Sequence, residues 1–295
     1  MNGWKTSRRR ATGTGYSDAA EWHRASGHLK KIVRTKMGKK YPAETHDQSA
    51  AEAVQIVNPA GRSPYLLLCE HASSFIPAEY GELGLPPDER LRHIAWDIGA
   101  REVALSLAEH LDAPLVLGKV SRLVIDLNRP LHSDSSIPVS SEVTEIPGNM
   151  ALSPHARQER QRRWFHPFHD LVGECLNRRA ATGQRTLLVG IHSFTPVFKG
   201  ERRPWPAGIL FGQAGAYGRA FIRALSASSG SEVAENNPYQ IKVDEDYAVP
   251  VHGDARGIPA CLVEIRQDLI TESAGALQWS GFLAHAARVV QDEAF

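Results

Sequence analysis

From Pro59 onward the chain alternates short apolar runs with longer amphipathic stretches, the pattern of a sheet whose strands are linked by helices packed against it. Apolar runs at 65–69, 114–120, 122–128, 186–191, 208–211 and 261–265 have the length of buried strands. Helical periodicity runs over 100–111, 154–180, 216–226 and 275–292. The stretch 130–153, with its Ser, Pro and Gly, is too long for a plain connector and follows a charged run end, so it is expected to cover a site. This reading predicts an α/β fold in a single domain over 59–295.

Residues 1–58 lack sustained apolar periodicity apart from a short helical stretch around 19–33, and they are expected to be a disordered or loosely attached extension. Charge sharpens that division. Residues 1–40 hold eleven Lys and Arg against Asp18 and Glu21, whereas the whole chain is +1, so the remainder is about −8. A mildly acidic body excludes a nucleic-acid surface on the globular part, which would need a concentrated basic face. The basic arm itself reads as a dispensable extension or, on a second reading, as a nucleic-acid or targeting segment. No apolar run approaches the roughly 20 residues that span a bilayer, and the expectation is a soluble, cytoplasmic protein with no membrane partner. Cys69, Cys175 and Cys261 are an odd set in apolar or helical surroundings and are read as reduced thiols.

Chemistry concentrates where the apolar runs stop. His71 follows Leu66-Leu67-Leu68-Cys69-Glu70, and His192 follows Leu187-Leu188-Val189-Gly190-Ile191, so two imidazoles are delivered to the rim of a sheet. Imidazole in that position is a common zinc ligand, and a catalytic zinc takes three protein ligands. Asp97, among apolar residues before a helix, is the preferred third; Glu70 is the alternative, though neighbouring strand residues face opposite ways. Asp97 also reads as a helix N-cap, and each histidine singly as a hydrogen-bonded core residue. Glu264 lies inside an apolar strand with Arg266 on the same face, which reads either as a buried ion pair or as a general base of raised pKa. Arg122 and Arg129 can clamp a carboxylate or stabilise an oxyanion.

Five ordered elements carry a resemblance: Cys69-Glu70-His71-Ala72-Ser73, Asp97-Ile98-Gly99-Ala100, Asp126-Leu127-Asn128-Arg129-Pro130, Gly190-Ile191-His192-Ser193-Phe194 and Val263-Glu264-Ile265-Arg266-Gln267-Asp268. Together they resemble the N-formylglutamate amidohydrolase family from about Tyr65 to the C-terminus. The resemblance implies a three-layer α/β/α fold with a mixed central sheet, zinc-carboxypeptidase-like, and metal-dependent hydrolysis of an amide in a small acidic N-acyl amino acid. It implies His71 and His192 as metal ligands, Asn128 and Arg129 as the grip on a substrate carboxylate, and Glu264 as base. Two departures stand out. The His-x-x-Glu spacing of zinc carboxypeptidases is missing, because Ser74 follows His71 by three, and the run reads Glu-His-Ala-Ser where the family carries Pro-His-Ser-Gly.

The resulting expectation is a zinc-dependent amidohydrolase with a small acidic substrate, in which His71, Asp97 and His192 hold the metal, Glu264 and Arg122 are catalytic, and Asn128, Arg129 and Arg266 bind substrate. Two rivals remain: a cysteine hydrolase using Cys69 with His71, and a non-catalytic protein that keeps the pocket without a complete metal site. Oligomeric state is left open.

Overall fold

The computed structural model of the protein describes residues 53–295. The expected N-terminal extension lies outside the described residues except for its last stretch, and there the expectation needs correcting. Val54–Val57 is strand β1, laid antiparallel along β3 (Leu115–Gly118) with Val54 opposite Gly118 and Val57 opposite Leu115. Its Val-Gln-Ile-Val run is too short to show a period beside the polar sequence before it. A partner strand, not local pattern, makes it a strand.

Eleven strands follow in chain order. After β1 come β2 (Tyr65–Cys69), β3, the hairpin of β4 (Ser140–Ser141) and β5 (Thr144–Glu145), and β6 (Leu187–Phe194). Then come the hairpin of β7 (Val197–Phe198) and β8 (Glu201–Arg202), β9 (Ala207–Leu210), β10 (Val233–Glu235) and β11 (Ala260–Arg266). Seven of them make one sheet in the order β1-β3-β2-β6-β11-β9-β10. The sheet is mixed: β1–β3 and β11–β9 are antiparallel and the other neighbours parallel.

Period-two alternation divides the sheet between two cores. Tyr65, Leu67 and Cys69 of β2 join Leu187, Val189 and Ile191 of β6 and Cys261, Val263 and Ile265 of β11 on one face, under helices α1 (Ala100–Leu111), α4 (Gly215–Ser229) and α5 (Ser273–Val290). Leu66, Leu68, Leu188 and Leu262 face the other way, onto α2 (Pro154–Arg160) and α3 (His166–Ala181), which a π-helical turn at Gln161–Phe165 joins end to end. Both faces are covered, which is why the strands read as continuous apolar runs. Local signals set the helix ends: Ser153 caps α2 through Oγ to the Ala156 N–H at 3.2 Å with Pro154 as its first residue, and Gly230 closes α4 at φ 66°.

The run 122–128, expected as a strand, is instead a chain of turns. Val124 N–H donates to Ser121 O, Asp126 N–H to Ser136 O, and Asp126 Oδ1 accepts from the Asn128 N–H at 2.8 Å. An aspartate that bonds the backbone two residues on offers the chain a turn in place of a ladder. The apolar residues Leu123, Val124, Ile125 and Leu127 are buried all the same, which is the signal that imitated a strand. Among the described residues no helix is long and apolar enough to cross a membrane.

Candidate active site

Alternation continues past the apolar run of β6 and β11 to their carboxyl ends. Leu188, Gly190 and His192 share one face, and so do Ala260, Leu262 and Glu264; the parallel register sets Glu264 directly beside His192. A Cβ at Gly190 would lie 2.4 Å from Leu262 Cδ2 and 3.5 Å from His192 Nε2, so glycine there lets the imidazole sit against its own strand. β2 ends at Cys69, and the turn after it releases Glu70 and His71 from strict alternation, so both reach the site. Asp97 is tied in by its N–H to His71 O at 3.0 Å. Behind it Gly99 holds φ 80° with its backbone against Ile270 O, where a Cβ would be 2.4 Å away.

Four carboxylates, Glu70, Asp97, Asp126 and Glu264, are buried around His71 and His192, with Arg122 as the guanidinium bonded among them. Asp97 Oδ2 lies 2.9 Å from His192 Nδ1 and 3.3 Å from His71 Nδ1, and it also accepts the Ser193 N–H at 3.3 Å. The Asp97 side chain therefore does not cap α1; Ala100 N–H bonds its backbone oxygen instead. The opposite nitrogen of each ring meets a further carboxylate: His71 Nε2 is 2.7 Å from Asp126 Oδ1, and His192 Nε2 is 3.1 Å from Glu70 Oε2. The second contact is poorly aligned, and both Glu70 oxygens are buried without a hydrogen-bond partner. Arg122 donates to Asp126 Oδ2 at 3.0 and 2.7 Å and to Asp97 Oδ1 at 3.3 Å.

So much buried negative charge governs protonation. Burial and Arg122 disfavour a proton on His71, yet Asp126 and Asp97 outweigh them and its pKa is raised. Burial likewise opposes charge on His192, but its hydrogen bond to Asp97 and the adjacent Glu70 carboxylate raise it well above the ordinary value. Burial would raise Asp97 and Asp126, but His71 and His192 hold the first down, and Arg122 and His71 the second. Glu264 goes the other way. Burial pushes it up to about 7, with His192 pulling against and Asp97 adding to the shift, and its Oε2 has no partner.

A ring nitrogen of His71, a ring nitrogen of His192 and a carboxylate oxygen of Asp97 are gathered closely enough to hold a metal ion, all within 4.8 Å of one another. Two imidazoles and a carboxylate are a donor set of catalytic zinc, and a carboxylate on the far nitrogen of each imidazole is what orients such ligands. A dication there would replace protons that the surrounding carboxylates otherwise draw onto the rings. The residues present fit a metal.

The site opens into a cavity of about 670 Å³, to which His71, Asp97, Arg122, Asn128, Arg129 and Glu264 contribute. The stretch 130–153 lines it through Ser140, Ser141 and Glu142, as its length predicts. Asn128 is fixed by its Oδ1, which accepts from Tyr247 N–H at 3.2 Å and Ala248 N–H at 2.9 Å. Arg129 is engaged by Asp246 Oδ1 at 2.8 Å. Arg266 is the misplaced residue of the expected set. It does not line the cavity, and its guanidinium bonds Asp268 and the carbonyls of Arg203 and Pro204 rather than pairing with Glu264. Reading the sequence missed the part of Asp126, which showed only as an acid in a charged run.

Cys69 faces the first core, fully buried, with its thiol pushed well above the ordinary value by burial and by Asp97. It has no access to the thiolate that a cysteine nucleophile requires. Beneath the site lies a second imidazole pair, His169 and His252, joined Nδ1 to Nε2 at 2.9 Å, with His169 Nε2 2.8 Å from Leu127 O.

The N-formylglutamate amidohydrolase family matches residues 63–271. A gene product of Agrobacterium tumefaciens of known crystal structure is 38% identical over 82% of this chain and 96% of its own, with a TM-score of 0.79. The crystal structure of N-formylglutamate amidohydrolase from Ralstonia eutropha is 18% identical over 81% of this chain and 97% of its own, with a TM-score of 0.58, and shares the fold. No curated protein sequence matches the chain.

Proposed function

The chain belongs to the N-formylglutamate amidohydrolase family, and from that membership we propose that it is a zinc-dependent hydrolase of the amide bond in small acidic N-acyl amino acids, N-formylglutamate being the reference case. The observation that carries this reading is the meeting of two imidazole Nδ1 atoms on one Asp97 oxygen, with Glu264 registered beside His192. When bound by His71, Asp97 and His192, zinc supplies Lewis-acid polarisation of a carbonyl and acidifies water. Glu264, with a pKa near neutrality, accepts the proton of the attacking water and returns it to the leaving amine. Arg122 faces the cavity with its charge held by Asp126 and Asp97, in place to stabilise developing negative charge on the carbonyl oxygen. Asp126 and Glu70 orient the two imidazoles. Asn128 and Arg129 line the acid-binding side, Arg129 exchanging Asp246 for substrate.

The test is formate release from N-formyl-L-glutamate by the purified protein, followed by chelation and zinc readdition. Stoichiometric zinc and activity that vanishes and returns with it support the reading. A protein that takes up no transition metal while binding acidic ligands would instead be the non-catalytic relative.

A further inference from the structure

His192 is not the last cavity residue on its face of β6. The strand runs on to Phe194, which period two sets on the same face, roughly 7 Å of strand beyond the imidazole. Its ring lines the cavity together with those of Phe198, from the β7–β8 hairpin, and Tyr239. A guanidinium outside the cavity lining holds all three. Arg203 Cζ lies 4.6 Å from the Phe198 centroid, 4.8 Å from Tyr239 and 5.8 Å from Phe194, and its Nη1 donates to Tyr239 Oη at 2.9 Å. Packing against one cation fixes the rings in place, and it is the rings that meet whatever fills the cavity.

Phe194 is covered by its neighbours, whereas Tyr239 keeps 43% of its surface exposed and Phe198 is half-buried. Rings left open inside a cavity carry apolar area that a ligand can cover, and a planar ligand gains from stacking as well as from the area itself. The corner adjoins the chemistry: behind burial, the charges that act on the Tyr239 hydroxyl are Glu264, Arg203 and Arg122. With a substrate carboxylate at Asn128 and Arg129, the acyl group is the part left to face the rings. A formyl group ends at its single carbon and cannot span the distance from His192 to Phe194. The cavity, about 670 Å³, is of the size that takes drug-sized ligands, more than a formylated amino acid fills.

We propose that Phe194, Phe198 and Tyr239 form a subsite for an aromatic acyl group, so that the substrates this chain prefers are amino acids acylated by an arylacetyl-type group and not by formyl. The proposal rests on reading the cavity as an amidohydrolase site with Asn128 and Arg129 on its acid side. Arg203 is a positioning residue that keeps the rings in place and does not touch the substrate.

The experiment measures kcat/KM on N-phenylacetyl-, N-hexanoyl- and N-formyl-L-glutamate for the zinc-loaded wild type, Phe198→Leu, Tyr239→Leu and Tyr239→Phe. Calorimetric binding of phenylacetate, a ring with no amide to cleave, is measured alongside. The wild type should favour the phenylacetyl compound over both others. Phe198→Leu and Tyr239→Leu should each lower the phenylacetyl-to-hexanoyl ratio by ~3- to 10-fold and weaken phenylacetate to the same degree, while Tyr239→Phe, which keeps the ring, retains both. A ratio taken on one preparation cancels any loss of folded protein. A wild type that favours the formyl compound, a hexanoyl compound cleaved as well as the phenylacetyl one, variants that slow all three substrates alike, or failure to bind phenylacetate overturns the subsite while the activity stands. Ring dependence found with N-formyl-L-phenylalanine and not with the phenylacetyl compound overturns its assignment to the acyl group. Should phenylacetate bind in a ring-dependent way to a protein that cleaves none of these amides, the subsite holds and the proposed activity falls.

Discussion

Replacing Glu264 by Gln keeps the side chain's shape and removes its charge, and the structure assigns the consequence a size. The folded carboxyl holds its proton up to about pH 7 against an ordinary value of 4.5. Between those two values the folded chain binds a proton that the unfolded chain has released, so stability falls as pH rises through the window. At ~1.4 kcal/mol per pH unit the loss is roughly 3 kcal/mol by pH 7 and above. Gln pays none of it. In chelated protein the melting temperature of Glu264→Gln relative to wild type should therefore climb between pH 4.5 and 7, by roughly 6 to 12 °C for a domain of this size. Turnover should drop ~10²- to 10⁴-fold with zinc content unchanged, because the amide cannot accept the water proton. Melting curves across pH and turnover with metal analysis on one preparation decide the matter. A variant that is less stable than wild type at pH 8 yet active per folded molecule would refute the reasoning, since Glu264 would then be a structural partner.

His192→Ala should lose zinc as well as activity, whereas retention of stoichiometric metal would remove His192 from the site. Asp126→Asn should weaken zinc affinity ~10- to 100-fold in a competition titration by loosening the 2.7 Å contact that orients His71, and an unchanged affinity would speak against that part. A chain starting at Ala50 should keep the melting temperature of the full protein, while one starting at Asn58 loses β1 and should melt roughly 5 °C lower with a bare β3 edge prone to aggregation; equal melting of the two would show that β1 contributes nothing.

Reading the chain located β2, β3, β6, β9 and β11 because each is a run of apolar residues buried on both faces, a signal that needs no partner to be seen. α1 was legible to the residue, from Ala100 to Leu111. β1 and β10 were not, being short edge strands that exist because a neighbour pairs with them. The same limit applies to the site. His71, His192 and Glu264 are visible as polar residues interrupting apolar runs, and that they gather at one end of the sheet follows from parallel pairing. Asp126 and Arg266 are different, because turn geometry decides where their side chains go. A period-two argument sent Arg266 into the site with Glu264, whereas β11 ends at that residue and its guanidinium turns to Asp268.

The imidazole pair beneath the site has a polarity that a single carbonyl imposes. Leu127 O can only accept, so His169 must carry its hydrogen on Nε2 and present a lone pair at Nδ1. His252 then donates from Nε2, which leaves its own Nδ1 bare, and that atom is buried with no hydrogen-bond partner. Both tautomers are thus assigned by bonding alone, reading outward from the turn between Asp126 and Asn128. Burial pushes His169 down to about 3, helped by the neighbouring imidazoles of His252 and His166, and His252 down to about 4, helped by Arg256, so the two stay uncharged through the neutral range. The unfolded chain protonates near 6.5, and the pair therefore withdraws stability as pH drops below that value toward 4 and 3. In the pH range where Glu264 changes state, the layer under the site is a fixed array of dipoles that contributes no titration of its own.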